Sequence, residues 1–222
     1  MSAHLLIKLP SRERPKLLLD RVAKLATLCV DPLNTRILIS GDMDDATMTD
    51  ALIDRLRGFR VHVDVRLGAR VSKIEAVNRD LVQEPWDIVL VASDDMVPVL
   101  EGYDNEIRKL MALYHPDGDG CLWFSDGRQG RLCTYPIIGR TYFDRDGHVY
   151  WPGYASYYAD DEQTANAQLR GRMVRSDQVL LRHDHTCFNA AVDDDLYRNN
   201  RLAKSRDAAL YGRRLKTDFP VQ

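Results

Sequence analysis

Charge of one sign, paired cysteines, long apolar runs and low-complexity tracts are all missing from this chain of 222 residues. Its 31 basic and 33 acidic residues nearly cancel, to a formal net charge of −2, which excludes a protein whose whole surface clings to a polyanion. The four cysteines, Cys29, Cys121, Cys133 and Cys187, form no C-x-x-C pair. They suggest neither a zinc ribbon nor a disulfide framework and read as the reduced thiols of a cytoplasmic protein. The first apolar run, Leu5 to Leu9, is broken by Lys8 and stopped by Pro10, too short for a signal peptide or a membrane span. A soluble, cytoplasmic protein is expected. At roughly 150 residues per domain the length predicts one domain over 1–222, able to bury a full core without a disulfide or metal staple.

What is present is an alternation of short apolar runs with stretches of helical period, the pattern of an α/β layer structure. His4 to Leu9 reads as a strand, followed by a helix whose face is Leu17, Leu18, Val22, Leu25 and Leu28, with Pro32 ending it. Thr35 to Ser40 is a buried strand by composition, and Met48, Leu52 and Leu56 mark the next helix. Arg60 to Leu67 alternates as a half-exposed strand does, and Ser72 with Glu75 has capping-box spacing ahead of Ile74, Val77 and Leu81. Trp86 to Ala92 is the most hydrophobic strand and should be central; Ile107, Leu110, Met111 and Tyr114 form a further helix. Beyond residue 115 the texture changes, with a hairpin expected at Asp146-Gly147 between Tyr142-Phe143 and Val149-Tyr150-Trp151. One compact domain with two functional halves is expected, 1–115 and 116–222.

In open α/β sheets ligands sit beyond the carboxyl ends of the strands. Three such ends are unusually polar: Pro10-Ser11-Arg12-Glu13-Arg14-Pro15, then Asp42 with Asp44 and Asp45, then Asp94-Asp95. Arginine there suits a nucleotide's phosphates or base, and a carboxylate can accept from ribose hydroxyls or a base N–H. Ordinary turn chemistry is the plainer account of Asp42 to Asp45. Two adjacent carboxylates at the end of the most hydrophobic strand need a cation, and a divalent metal is the natural partner. Asp160-Asp161-Glu162 opens a helical stretch; it fits either helix-dipole charge or a general base beside an acceptor hydroxyl. Val179, Leu181, His183 and His185 alternate, placing both histidines on one strand face, where either could complete a metal sphere or simply pack. Between Leu196 and Thr217 seven basic residues face the single acid Asp207, a solvated tail helix or a landing surface for phosphate.

Taken in order, these residues resemble the metal-dependent, nucleotide-sugar glycosyltransferases of the GT-A fold, especially the small ones related to family 2, over most of the chain. Ser11-Arg12-Glu13-Arg14-Pro15 resembles the family's first-strand loop, and Asp42 stands where the family places a base-binding aspartate. Lys73 with Asn78 is similar to the polar helix after the third strand. Ala92-Ser93-Asp94-Asp95 resembles the D-x-D region, with Ala92 in place of the first aspartate of the fuller motif. Asp160-Asp161-Glu162 is similar to the cluster supplying the base of inverting members, and His183-Asp184-His185 to a histidine pair, one of which can bind the metal.

The resemblance implies a GT-A fold with a Rossmann-like central mixed sheet flanked by helices. It implies that Pro10, Ser11, Arg12, Arg14, Asp42, Lys73 and Asp94 bind a nucleotide-diphosphate sugar, a UDP-sugar first. Asp95 with His183 or His185 would hold Mn2+ or Mg2+. Asp161, with Asp160 and Glu162 as alternatives, would act as base, and inversion is favoured. The acceptor would be a glycan or a hydroxylated base in DNA. A sugar-phosphate nucleotidyltransferase shares the sheet and metal but needs a glycine-rich loop near its N-terminus, and no glycine precedes Gly41. A non-catalytic, polyanion-binding scaffold is the rival outside enzymology.

Overall fold

The computed structural model describes residues 2–184 and 194–219. The first half alternates strand and helix: β1 (Leu5–Pro10), α1 (Pro15–Leu28), β2 (Thr35–Asp42), α2 (Asp50–Arg57), β3 (His62–Gly68), α3 (Lys73–Asn78) and β4 (Ile88–Val91). A short β5 (Met96–Pro98) and α4 (Tyr103–Tyr114) follow. The second half contains β6 (Cys121–Ser125), β7 (Ile137–Gly139), α5 (Arg140–Asp144), α6 (Ala159–Leu169), β8 (Met173–Val179), β9 (Leu181–His183), α7 (Asp195–Leu202) and α8 (Lys204–Leu215).

Seven strands form one sheet in the order β3-β2-β1-β4-β7-β6-β8. β1 to β4 are parallel, β7 runs antiparallel to β4 and β6, and β8 is parallel to β6. This is the mixed sheet flanked by helices that the sequence predicted, with the strand at 88–91 central. Near-continuous apolar strands such as β4 fit a sheet covered on both faces. Alternation along β1 sends Leu5, Ile7 and Leu9 into one core and Leu6 into the other. Lys8 shares the second face yet is fully buried; its ammonium donates to Ser40 and to the Arg79 carbonyl oxygen (2.6 Å). Burial pushes this lysine's pKa down to about 7 despite the charge of Asp80.

Side-chain caps mark the starts of α2, α3 and α7. Ser72 Oγ accepts from the Glu75 amide (3.1 Å) at the start of α3, as the capping-box spacing predicted. Thr49 caps α2, so Met48 packs in the core just ahead of that helix.

Three local expectations are corrected. α1 stops at Leu28, with Cys29 already extended, so Pro32 lies beyond the helix and does not end it. The hairpin at Asp146-Gly147 is absent. Tyr142-Phe143 belong to α5, and Gly147 (φ 69°) terminates that helical segment, its amide donating to the Phe143 carbonyl oxygen (2.8 Å). A positive-φ glycine serves a helix end as well as a turn, which is why the dipeptide misleads. The continuous alternation from Val179 to His183 also fails, because the chain passes from β8 to β9, in a different sheet, and Leu180 and Leu181 are both buried.

Candidate active site

In a parallel sheet of this order the crevice lies beyond the carboxyl ends of β1 and β4, where the strand order reverses. A cavity of about 230 Å3 opens there, lined by Pro10, Ser11, Arg12, Arg14, Asp42, Lys73, Asp94 and Asp95, among others. These eight residues come from four segments, and the fold gathers them. Arg12 donates to Asp42 (2.9 Å) and Asp44 (2.6 Å), while Asp45 accepts from the Glu13 amide (2.8 Å) and Thr47. The acidic turn is therefore fastened to the loop after β1, with Glu13 held at φ 58°, a costly conformation for a side-chain-bearing residue.

Asp94 and Asp95 are both buried but differ in their partners. Asp94 accepts from Ser11 (3.0 Å) and from Arg14 (2.8 Å). Burial pushes its carboxyl above the usual range, with Arg14 opposing and Asp95 adding. Asp95 accepts from the Tyr197 hydroxyl (2.7 Å), and His183 Nε2 stands 3.6 Å from the same oxygen. Burial works against the charge on Asp95, yet His183 and Lys73 hold its carboxyl well below the usual range. The imidazole of His183 is raised to about 9: burial opposes this, and Asp126 and Asp95 outweigh it. The β5–β9 pair makes this proximity, placing His183 opposite Met96, and the Asp184 amide donates to the Asp95 carbonyl oxygen (2.9 Å).

The other oxygen of Asp95, Oδ1, is buried without a hydrogen-bond partner among the described residues. No group of three or more metal-ligating side chains occurs among those residues. An orphaned carboxylate oxygen beside a histidine fits a divalent cation that takes its remaining ligands from a substrate diphosphate, as Mg2+ commonly does. His185 lies outside the described residues.

A second cavity, about 480 Å3, adjoins the first and shares Lys73, Ser156, Tyr197 and Asn200 with it. Asp160 and Asp161 line it, as does His183. Burial and the neighbouring charge of Asp161 lift Asp160 to about 6, and burial raises Asp161 as well. Glu162 is different. It is buried outside both cavities, its carboxylate taken by Arg214 (2.7–3.0 Å) and by the Tyr154 hydroxyl (2.7 Å). That pairing corrects its place among the candidate bases.

The sequence did not single out Tyr197, which touches both cavities, or Asp194, which receives two bonds from Arg14 (2.7 and 2.8 Å) and caps α7. Arg14 also lies 4.2 Å over the Tyr197 ring. Asp126, 1% exposed beside His183, was missed as well; it directly follows β6, which ends at Ser125. The lone acid of the basic tail, Asp207, is fully buried and accepts from the amides of Ala155, Ser156 and Tyr157. It anchors α8 under the loop that precedes α6, so the tail is a packed wall of the site. No helix among the described residues is long and apolar enough to cross a membrane.

Comparison with solved structures names the architecture. The mannosyltransferase PcManGT from Pyrobaculum calidifontis, solved with GDP-Man and Mn2+, matches with a TM-score of 0.70 at 12% identity. The match covers 100% of this chain and 66% of that one. The protein has the GT-A fold. TarS 1-349 from S. aureus, in complex with UDP, matches at TM-score 0.65 and 16% identity over 81% of this chain and 60% of that one. Glucosyl-3-phosphoglycerate synthase from Mycobacterium tuberculosis, solved with Mn2+, UDP and phosphoglyceric acid, gives 0.64 and 14% over 95% and 78%. This chain thus spans a little under two thirds of the mannosyltransferase and of the TarS segment. No protein-family model and no curated protein matches the sequence.

Proposed function

We propose that the protein is a metal-dependent glycosyltransferase that moves a sugar from a nucleotide-diphosphate sugar, a UDP-sugar first, to an acceptor hydroxyl on a glycan or a hydroxylated base in DNA. The observation that carries this reading is the junction of the two cavities. Asp95 in one and His183 in the other stand 3.6 Å apart, beside a buried carboxylate oxygen without a partner.

Asp95 and His183 would hold Mn2+ or Mg2+, which when bound offsets the charge growing on the departing diphosphate. Asp42 and Arg12 face the nucleoside end, and Asp94, fixed by Ser11 and Arg14, faces the ribose. Lys73, common to both cavities, stands where the leaving group's charge accumulates. The acceptor oxygen forms its bond to the sugar's anomeric carbon as the carbon–diphosphate bond breaks, with inversion. The hydroxyl proton passes to Asp161 or to its neighbour Asp160. Glu162, neutralised by Arg214, has no share in that step.

The test is single-turnover transfer by Asp161→Asn and Asp160→Asn enzymes. The variant that removes the base should lose about 100-fold or more in transfer. Donor affinity, measured separately, should stay within about 3-fold, since neither carboxylate lines the donor cavity. Near-normal transfer by both variants would remove the pair from the reaction.

A further inference from the structure

The cations around the two cavities differ in their partners. Arg12 and Arg14 are neutralised by the protein's own carboxylates, Asp42, Asp94 and Asp194. Arg131 and Lys204, both exposed on the wall of the acceptor-side cavity, form no ion pair with any described residue. They come from different segments, the loop after β6 and the start of α8. Lys204 opens α8, and its ammonium lies 5.7 Å from the centre of the Tyr157 ring, a cation–π position that keeps it over the cavity.

Arg131 sits in a loop that is built, not merely exposed. Buried Asp126 accepts from the Arg128 and Gln129 amides (2.8 and 2.9 Å) and from Thr134 (3.2 Å). Gln129 Oε1 in turn accepts from the Arg131 and Leu132 amides (2.7 and 3.0 Å). The charge of Arg131 favours the ionised form of Asp161 in the same cavity, yet neither Arg131 nor Lys204 stands within ion-pair distance of a described carboxylate, so both can take a negative group from a ligand. A neutral saccharide would use the tyrosines and leave both cations idle.

We infer that the acceptor carries a phosphoryl group close to the hydroxyl that is glycosylated, and that Arg131 and Lys204 grip it. Phosphate suits the pair: arginine's planar fork binds two of its oxygens, and lysine adds a point charge. The inference rests on the glycosyltransferase reading above. A phosphomonoester on a small hydroxy compound and a phosphodiester in a DNA strand present the same chemistry to these two residues.

The experiment is calorimetry on the full chain with UDP and Mg2+ saturating the donor side. Four probes are compared: glucose 6-phosphate against glucose, and a hydroxymethylcytosine oligonucleotide against hydroxymethyldeoxycytidine. At least one phosphorylated probe should bind about 10-fold or more tightly than its neutral counterpart, and the arm that responds identifies the source of the phosphate. The double variant Arg131→Ala, Lys204→Ala should lose that preference, keep its affinity for UDP and melt as the parent does. Lys204→Arg in the parent background should retain the preference. Equal binding of phosphorylated and neutral probes, or an undiminished preference in the double variant, would overturn the inference while UDP binding stands. Failure of UDP itself to bind would overturn the glycosyltransferase reading, and this inference with it.

Discussion

Asp160, Asp161 and Glu162 occupy consecutive positions at the start of α6, yet their surroundings make them three different groups. Successive helix residues project about 100° apart, so one faces the core while its neighbours face the cleft. Glu162 meets Arg214 and Tyr154 and stays an ion-paired anchor. Asp160 meets Asp161, and burial with that like charge favours its protonated form, moving its pKa to about 6. The base-competent, ionised fraction is then lost as pH falls through about 6, higher than for a free aspartate near ~3.9. Single-turnover transfer measured from pH 5 to 8 should be flat above the limb and fall about tenfold per unit below it. A rate unchanged down to pH 5 would exclude Asp160 as the base and leave the role to Asp161. The sequence made the acidic cluster visible but not its division, because the partner that claims Glu162 lies 52 residues further along the chain.

At the scale of elements, the reversal of β7 within an otherwise parallel sheet depends on a close approach. A Cβ on Gly139 would stand 2.1 Å from the Gly118 carbonyl oxygen, a backbone atom that cannot rotate aside. Gly139→Ala should therefore destabilise the fold by about 2 kcal/mol or more in urea denaturation, the order of an overpacked core. A change below about 0.5 kcal/mol would show that the two segments can separate freely. β1, β2 and β4 were legible as buried apolar runs bounded by turn residues, and β3, half-exposed at the sheet edge, by its alternation. The hairpin near Asp146-Gly147 was misread because a positive-φ glycine ends a helical segment as readily as it makes a two-residue turn. The role of α7 left no mark in the sequence, since its contacts, Asp194 on Arg14 and Tyr197 on Asp95, span 180 and 102 residues.

For the whole molecule, a net charge of −2 conceals the gathering of charged side chains of both signs at the two cavities. Carboxylates converge at the strand ends of the crevice, and cations from the loop after β6 and from α8 line the adjoining cavity. Strand order alone locates the crevice, and the polar residues after β1, β2 and β4 mark it in the sequence. Cavity shape and ion pairing, which depend on residues far apart in the chain, could be read only in three dimensions. The central claim, that the crevice is a metal-dependent donor site, is tested most directly by titrating a UDP-sugar into the protein calorimetrically, with Mn2+ and then with the metal chelated. The account predicts binding with Mn2+ that weakens by about 10-fold or more on chelation and is equally lost in Asp95→Asn, whose shape and Tyr197 contact are kept. Binding of equal strength with metal, without it and in Asp95→Asn would contradict it.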